Sequence, residues 1–163
     1  MNTRTSLSIL LLLLFSSLFT ACKRKSSVEI RELNIAERLL NSNPDSVFRI
    51  LKQLPFPEKL DDDAFARWCM LSGRVTDKIN AHILSTLYFQ RALTWFEKHG
   101  TKEEQSQLKL YLGRSYVADG DYNKAMALYI EALDVSRKSN LHNLCGYINC
   151  YMGDLYEKKN MYG

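Results

Sequence analysis

The chain is short of the residues that build folds other than helical ones. Its 163 residues include three prolines and seven glycines. That excludes collagen-like and proline-rich disordered classes. Histidine is nearly absent: His82, His99 and His142 stand alone, with no metal-ligand spacing among them. There are four cysteines and no C-x-x-C, so neither a disulfide framework nor a zinc site is expected. Cys145 and Cys150 fall on one expected helix, about 7.5 Å apart along its axis, too far to bridge. With Cys69 they read as small buried hydrophobes.

An excess of one charge is missing too. Twenty-two Lys and Arg against 18 Asp and Glu give a formal +4. The signs are interspersed, and the one basic block is Lys23-Arg24-Lys25. A nucleic-acid partner is therefore not expected. Asp61-Asp62-Asp63 is the one acidic run. No glycine-containing calcium loop follows it, so it reads as the acidic start of a helix. G-x-S-x-G, H-E-x-x-H and a phosphate-cradling glycine loop do not occur. No catalytic residue, metal or cofactor is expected.

One long apolar run is present, at the start. Arg4 precedes Leu7 to Phe15, inside an uncharged stretch of 17 residues from Thr5 to Ala21. A bilayer span wants about 20 apolar residues, and a secretory leader is the better reading. Phe19-Thr20-Ala21-Cys22 resembles a bacterial lipobox, with Phe19 at the position that usually holds leucine. The resemblance implies that residues 1–21 are removed and that Cys22 carries a lipid. The protein would then be anchored in the cell envelope, facing the periplasm or the cell surface. Residues 22–27 read as a solvated basic tether. Without residues 1–21, which hold one basic residue and no acidic one, 142 residues remain with a formal balance of +3. That is enough for one domain.

The main signal in those residues is self-similarity at a period of 40. Gly73-Arg74 returns as Gly113-Arg114, and the glycine again as Gly153. Tyr88-Phe89-x-x-Ala92-Leu93 returns as Leu128-Tyr129-x-x-Ala132-Leu133. Such a period marks a stacked helical array, a class of binding surfaces. Helical spacing predicts a capping helical pair over 28–60, with Asn43 and Pro44 opening its second helix. Repeat one is predicted over 61–100, its second helix from His82 to Lys98, closed by a left-handed Gly100. Thr101-Lys102-Glu103-Glu104 is a capping-box pattern that opens repeat two, whose helices are predicted over 101–118 and 122–138. Repeat three is predicted to hold one helix over 141–159, then a turn at Asn160. Two and a half repeats thus fill 61–163.

Repeat two carries Leu112-Gly113-x-x-Tyr116, then Gly120-x-Tyr122, Ala125, Tyr129 and Ala132. This resembles the tetratricopeptide repeat. Repeat one keeps Gly73, and repeat three keeps Gly153 and Tyr156. The resemblance implies an all-α, right-handed solenoid of antiparallel helix pairs whose last repeat is incomplete. It also resembles the N-terminal part of lipid-anchored repeat proteins common in Bacteroidetes. It implies a concave groove lined by Arg67, Met70, Arg74, Asp77 and Lys78, then Gln107, Leu110 and Arg114, then Tyr147, Asp154 and Glu157. Arg74 and Arg114 would project side by side, either paired with neighbours such as Asp77 or in water, or able to hold a carboxylate of a protein or peptide ligand. The expected function is a membrane-anchored protein-interaction module. The alternative is the truncated sensor segment of a membrane signalling or transcription-regulatory protein. The face Leu144, Cys145, Ile148, Met152, Leu155 and Tyr156 is expected to lie partly uncovered, which makes 141–159 a possible self-association surface.

Overall fold

The computed structural model describes residues 28–162, with side chains through residue 160. The expected leader, Cys22 and the tether lie outside the described residues. Every regular element within them is a helix, as the periodicity predicts. None of these helices is long and apolar enough to cross a membrane.

Helix α1 (28–39) turns through residues 40–43 into α2 (Pro44–Gln53). Asn43 caps α2, its side-chain oxygen accepting from the Ser46 amide at 3.1 Å, and Pro44 occupies the first turn. Pro55 and Pro57 stop the ladder, since neither ring can donate a backbone hydrogen bond. Phe56 between them is left-handed, with φ of 51°, and one 3-10 turn follows at Pro57–Lys59. Helix α3 (Asp62–Ile79) starts where the Asp61 carboxylate accepts from the Ala64 amide at 2.9 Å. It ends on left-handed Asn80.

Helix α4 runs from Thr86 to His99, four residues later than the sequence predicts. Residues 81–85 have no regular structure, and Ser85 makes no side-chain capping bond. Gly100 also departs from expectation. Its φ of −88° and ψ of 160° are extended rather than left-handed. Gly100 leads directly into Thr101, so an extended exit delivers the chain to the next cap. Helix α5 (Lys102–Ala118) opens with the capping box complete. The Glu104 amide donates to Thr101 Oγ1 at 3.2 Å, and the Thr101 amide donates to Glu104 Oε2 at 2.8 Å. Gly120, with φ of 81°, makes the tight turn. Helix α6 (Tyr122–Lys138) follows, then α7 (His142–Tyr162). The turn expected at Asn160 is absent. The i to i−4 ladder passes through it, because nothing in Tyr156-Glu157-Lys158-Lys159-Asn160 breaks a helix.

Each helix from α2 to α7 packs on the next, and α3 also meets α5, as α5 meets α7. The α5–α6 contacts run antiparallel. Ser106 meets Ser136, Lys109 pairs with Glu131, and Gly113 lies against Tyr129 and Ala125. Two core clusters result. One joins Leu33 and Ala36 of α1, Val47 and Leu51 of α2, eight residues of α3 from Ala64 to Val75, and Phe89, Ala92 and Leu108. The other joins Leu110, Ala125, Tyr129 and Ala132 to Ile148 and Leu155 of α7. Tyr116 packs against both.

The 40-residue spacing reappears in space. Phe89 and Tyr111 have ring centroids 6.1 Å apart at 35°. Tyr129 and Tyr151, each 40 positions on, lie 6.3 Å apart at 38°. Trp68, Leu108 and Ile148, similarly spaced, are all buried.

Candidate functional site

Helices α3, α5 and α7 lie side by side, and their polar side chains meet on one face. At its centre is Asp77 of α3. Arg114 of α5 forms an ion pair with it. The Tyr151 hydroxyl of α7 donates to the same oxygen at 2.8 Å. The Arg114 guanidinium stands over the Tyr151 ring, 4.9 Å from its centroid, a distance at which the ring quadrupole attracts a cation. One carboxylate thus ties three helices together. Burial pushes its pKa above the usual carboxylate range, against the opposing pull of Arg114, Tyr151 and Tyr111. Burial likewise raises the phenols of Tyr111, Tyr129 and Tyr151. The Asp77 charge adds to the rise at all three.

Arg74, one repeat before Arg114, is held differently. Its Nε and Nη2 donate to Gln107 Oε1 at 3.1 and 2.6 Å. Arg67 turns toward α1, donating to Glu37 Oε1 at 3.0 Å and to Asn34 Oδ1 at 2.6 Å. Arg114 thus follows the reading in which these arginines pair with neighbours such as Asp77, and the two guanidinium groups are not free to share one ligand carboxylate. Arg114 already has a carboxylate from its own chain, and Arg74 has an amide.

Met70 and Leu110 do not line a groove. They are 5 % and 2 % exposed and belong to the two cores. The reason is that α3 and α5 have neighbours on several sides, so positions next to the groove are already inside. Lys78, Tyr147, Asp154 and Glu157 are exposed, while Asp77, Gln107 and Arg114 are half-buried. A cleft of about 780 Å³ opens between residues 81–83, the end of α5, and α7. Of the expected residues it takes in Arg114, Asp154 and Glu157, with Tyr122, Tyr129 and Tyr151 as aromatic walls. Tyr111 and Tyr151 were missed as groove-centre residues. Their separation of 40 positions was the signal that pairs them.

Two repeat glycines are required by close approach. A Cβ on Gly113 would stand 2.7 Å from Cδ1 of Tyr129 and 3.3 Å from the Ala125 carbonyl oxygen. A Cβ on Gly73 would stand 2.6 Å from Cγ of Tyr111, on the following α5 rather than on its own partner α4. Gly153, read as a third copy, meets nothing within 4 Å. Ala125 and Ala132 are fully buried at the α6 crossing, Leu112 and Tyr129 are buried beside them, and Tyr116 and Tyr122 are half-buried.

The expected face of α7 is partly uncovered. Ile148 and Leu155 are buried, and Leu144, Cys145 and Met152 pack against the second core. Tyr156 is 55 % exposed. The side of α7 that faces outward carries Gly146, Tyr147, Cys150 and Gly153 instead. Of the cysteines, Cys69 is buried with its thiol pKa raised by burial, Cys145 is half-buried, and Cys150 is exposed rather than buried. No protein-family model matches the chain, and neither a curated protein nor a solved structure is similar to it.

Proposed function

We propose that this chain is a membrane-anchored protein-interaction module of the bacterial cell envelope, built as a right-handed solenoid of tetratricopeptide-like helix pairs. It takes a polypeptide segment against the face shared by α3, α5 and α7. The observation that supports this reading is the side-by-side placement of those three helices. Its aromatic pairs repeat 40 residues apart with nearly the same distance and angle. The Asp77–Arg114–Tyr151 tie keeps the face rigid, which lowers the ordering cost of binding. The cleft beside it is large enough for several side chains, and its exposed Asp154 and Glu157 supply polar selection. Anchoring rests on Cys22 in its lipobox-like setting.

Site-specific photo-crosslinking from the full chain in its host cell tests the groove. A crosslinker at Asp154 or Val117 should capture one and the same polypeptide. The same group at Ile130 or Leu87, exposed on α6 and α4, should not. Equal capture from all four positions overturns the reading. Anchoring is tested separately: Cys22→Ala should abolish incorporation of a labelled fatty acid and release the chain from membranes.

A further inference from the structure

A second pocket adjoins the first at Ala81 and His82 and lies between α2, α3 and residues 80–84, with a volume of about 320 Å³. Phe48 and Trp68 give it aromatic walls, and Leu51, Val75 and Leu84 give it aliphatic ones. Two of its polar groups are already satisfied. Trp68 Nε1 donates to the Leu51 carbonyl at 3.2 Å. Thr76 Oγ1 donates to the Gly73 carbonyl at 2.8 Å.

Four polar side chains remain, Ser72, Lys52, Asn80 and His82, and the first two stand nearest the aromatic walls in sequence. Ser72 lines the pocket and its hydroxyl makes no hydrogen bond among the described residues. No side-chain oxygen sealed from solvent there lacks a partner, so this hydroxyl is open to the pocket space and free to take a ligand as its partner. Lys52 stands at the rim, its Nζ 4.7 Å from the centroid of the Phe48 ring. No carboxylate pairs with it among the described residues. The lining holds no acidic side chain at all.

We propose that this pocket binds a small amphipathic carboxylate: an apolar tail between Phe48 and Trp68, and an anionic head met by Lys52 and the Ser72 hydroxyl. The shape fits the general pattern of ligand sites, mostly apolar with a few placed polar groups and a volume of ~300–1,000 Å³. Each feature has one role. The aromatic walls take the tail, the free hydroxyl donates to the head, and the lone cation fixes its sign. At roughly 30 Å³ per heavy atom, the share a water takes in the liquid, the pocket holds about ten. Octanoate is of that size. The segment 80–85, unlike the tight turns elsewhere, forms one side of the pocket.

The test is a titration of octanoate into the full chain carrying Trp95→Phe, which leaves Trp68 as the only indole. The expected result is a saturable, one-to-one change in Trp68 emission. Octylammonium, with the same tail and opposite charge, should give none. Lys52→Gln, a surface change, should weaken octanoate about tenfold, and Ser72→Ala about threefold. If Trp95→Phe fails to fold, calorimetry on the unaltered chain makes the same comparison. Three results would each overturn the proposal: no saturable change, octylammonium binding as tightly as octanoate, or unchanged affinity in Lys52→Gln.

Discussion

Repeat one and repeat two use one register and reach different interiors. In α5 the arginine of the repeat meets a carboxylate, Asp77; in α3 its counterpart Arg74 meets only the amide of Gln107. In α6 the stacked aromatic is Tyr129; in α4 it is Phe89. Gly113 receives a ring from its own partner helix, whereas Gly73 receives one from the next repeat. Three residues, Asp119 to Asp121, join α5 to α6, while six, Asn80 to Ser85, join α3 to α4. The lesson is that a repeat conserves the size of a side chain at a crossing more tightly than its polarity. Packing density leaves little room for the wrong volume, but a hydrogen bond can be remade with another partner.

The sharpest way to break the comparison is alkali. Tyr111, Tyr129 and Tyr151 have native pKa values raised by burial above the ordinary phenol, about 10. A raised native value stabilises the fold fully below the unfolded value and loses that stability as pH rises through the native one. Two of the three phenols pair with each other, and repeat one contributes none, because Phe89 cannot ionise. Spectrophotometric titration with circular dichroism should show these phenols silent past pH about 10, then ionising together as helix is lost. Smooth ionisation with the helix intact would contradict this.

The next largest effect is at the crossings. Gly113→Ala forces a methyl into Tyr129 and the Ala125 carbonyl, and should cost about 3 kcal/mol, the upper range for overpacking. Gly73→Ala drives a methyl into the near side of the buried Tyr111 ring with no carbonyl behind it, and should cost somewhat less, about 2 kcal/mol by the same rule. Denaturant midpoints would read the difference, and equal costs would remove the distinction between the two repeats. Arg114→Ala comes next. It leaves the half-buried Asp77 with its phenols alone, at about 2 kcal/mol after discounting the buried-pair range for exposure. Arg74→Ala removes neutral-acceptor bonds worth about 1 kcal/mol. A double change of Arg114 and Asp77 should recover part of the first loss. The smallest effect has the opposite sign. Gly153→Ala meets nothing within 4 Å inside a helix, and should stabilise by ~0.5–1 kcal/mol.

What could be read in the chain was what depends on neighbours in sequence. Asn43, Asp61 and Thr101 cap their helices because a side chain three residues away reaches the amide it must satisfy. The spacing of 40 aligned Phe89 with Tyr129, but not the rings of Tyr111 and Tyr151 that lie against them. The ion pair Asp77–Arg114 was harder. Its partners lie on helices that touch only across the repeat, and Arg114 could as well have faced solvent. Met70 and Leu110 misled for a related reason. A helix with one apolar stripe can be read from its period, but α3 is enclosed by α2, α4 and α5. Its burial therefore runs around most of its circumference and no period marks it. The late start of α4 was hidden in His82-Ile83-Leu84, an apolar run that helix and extended chain accommodate equally.

The hydrogen bond from Tyr151 to Asp77 joins residues 74 apart in sequence, while the helices otherwise lean mainly on their immediate neighbours. Under tension, a stack of neighbours unzips one helix at a time from the pulled end. This tie changes the order of events. A pull on the end of α7 loads α3 directly, so α7 cannot leave until a bond to a helix four elements earlier has broken. The chain is thus fastened like a buckle rather than a zip, and the force at which α7 yields is set in repeat one.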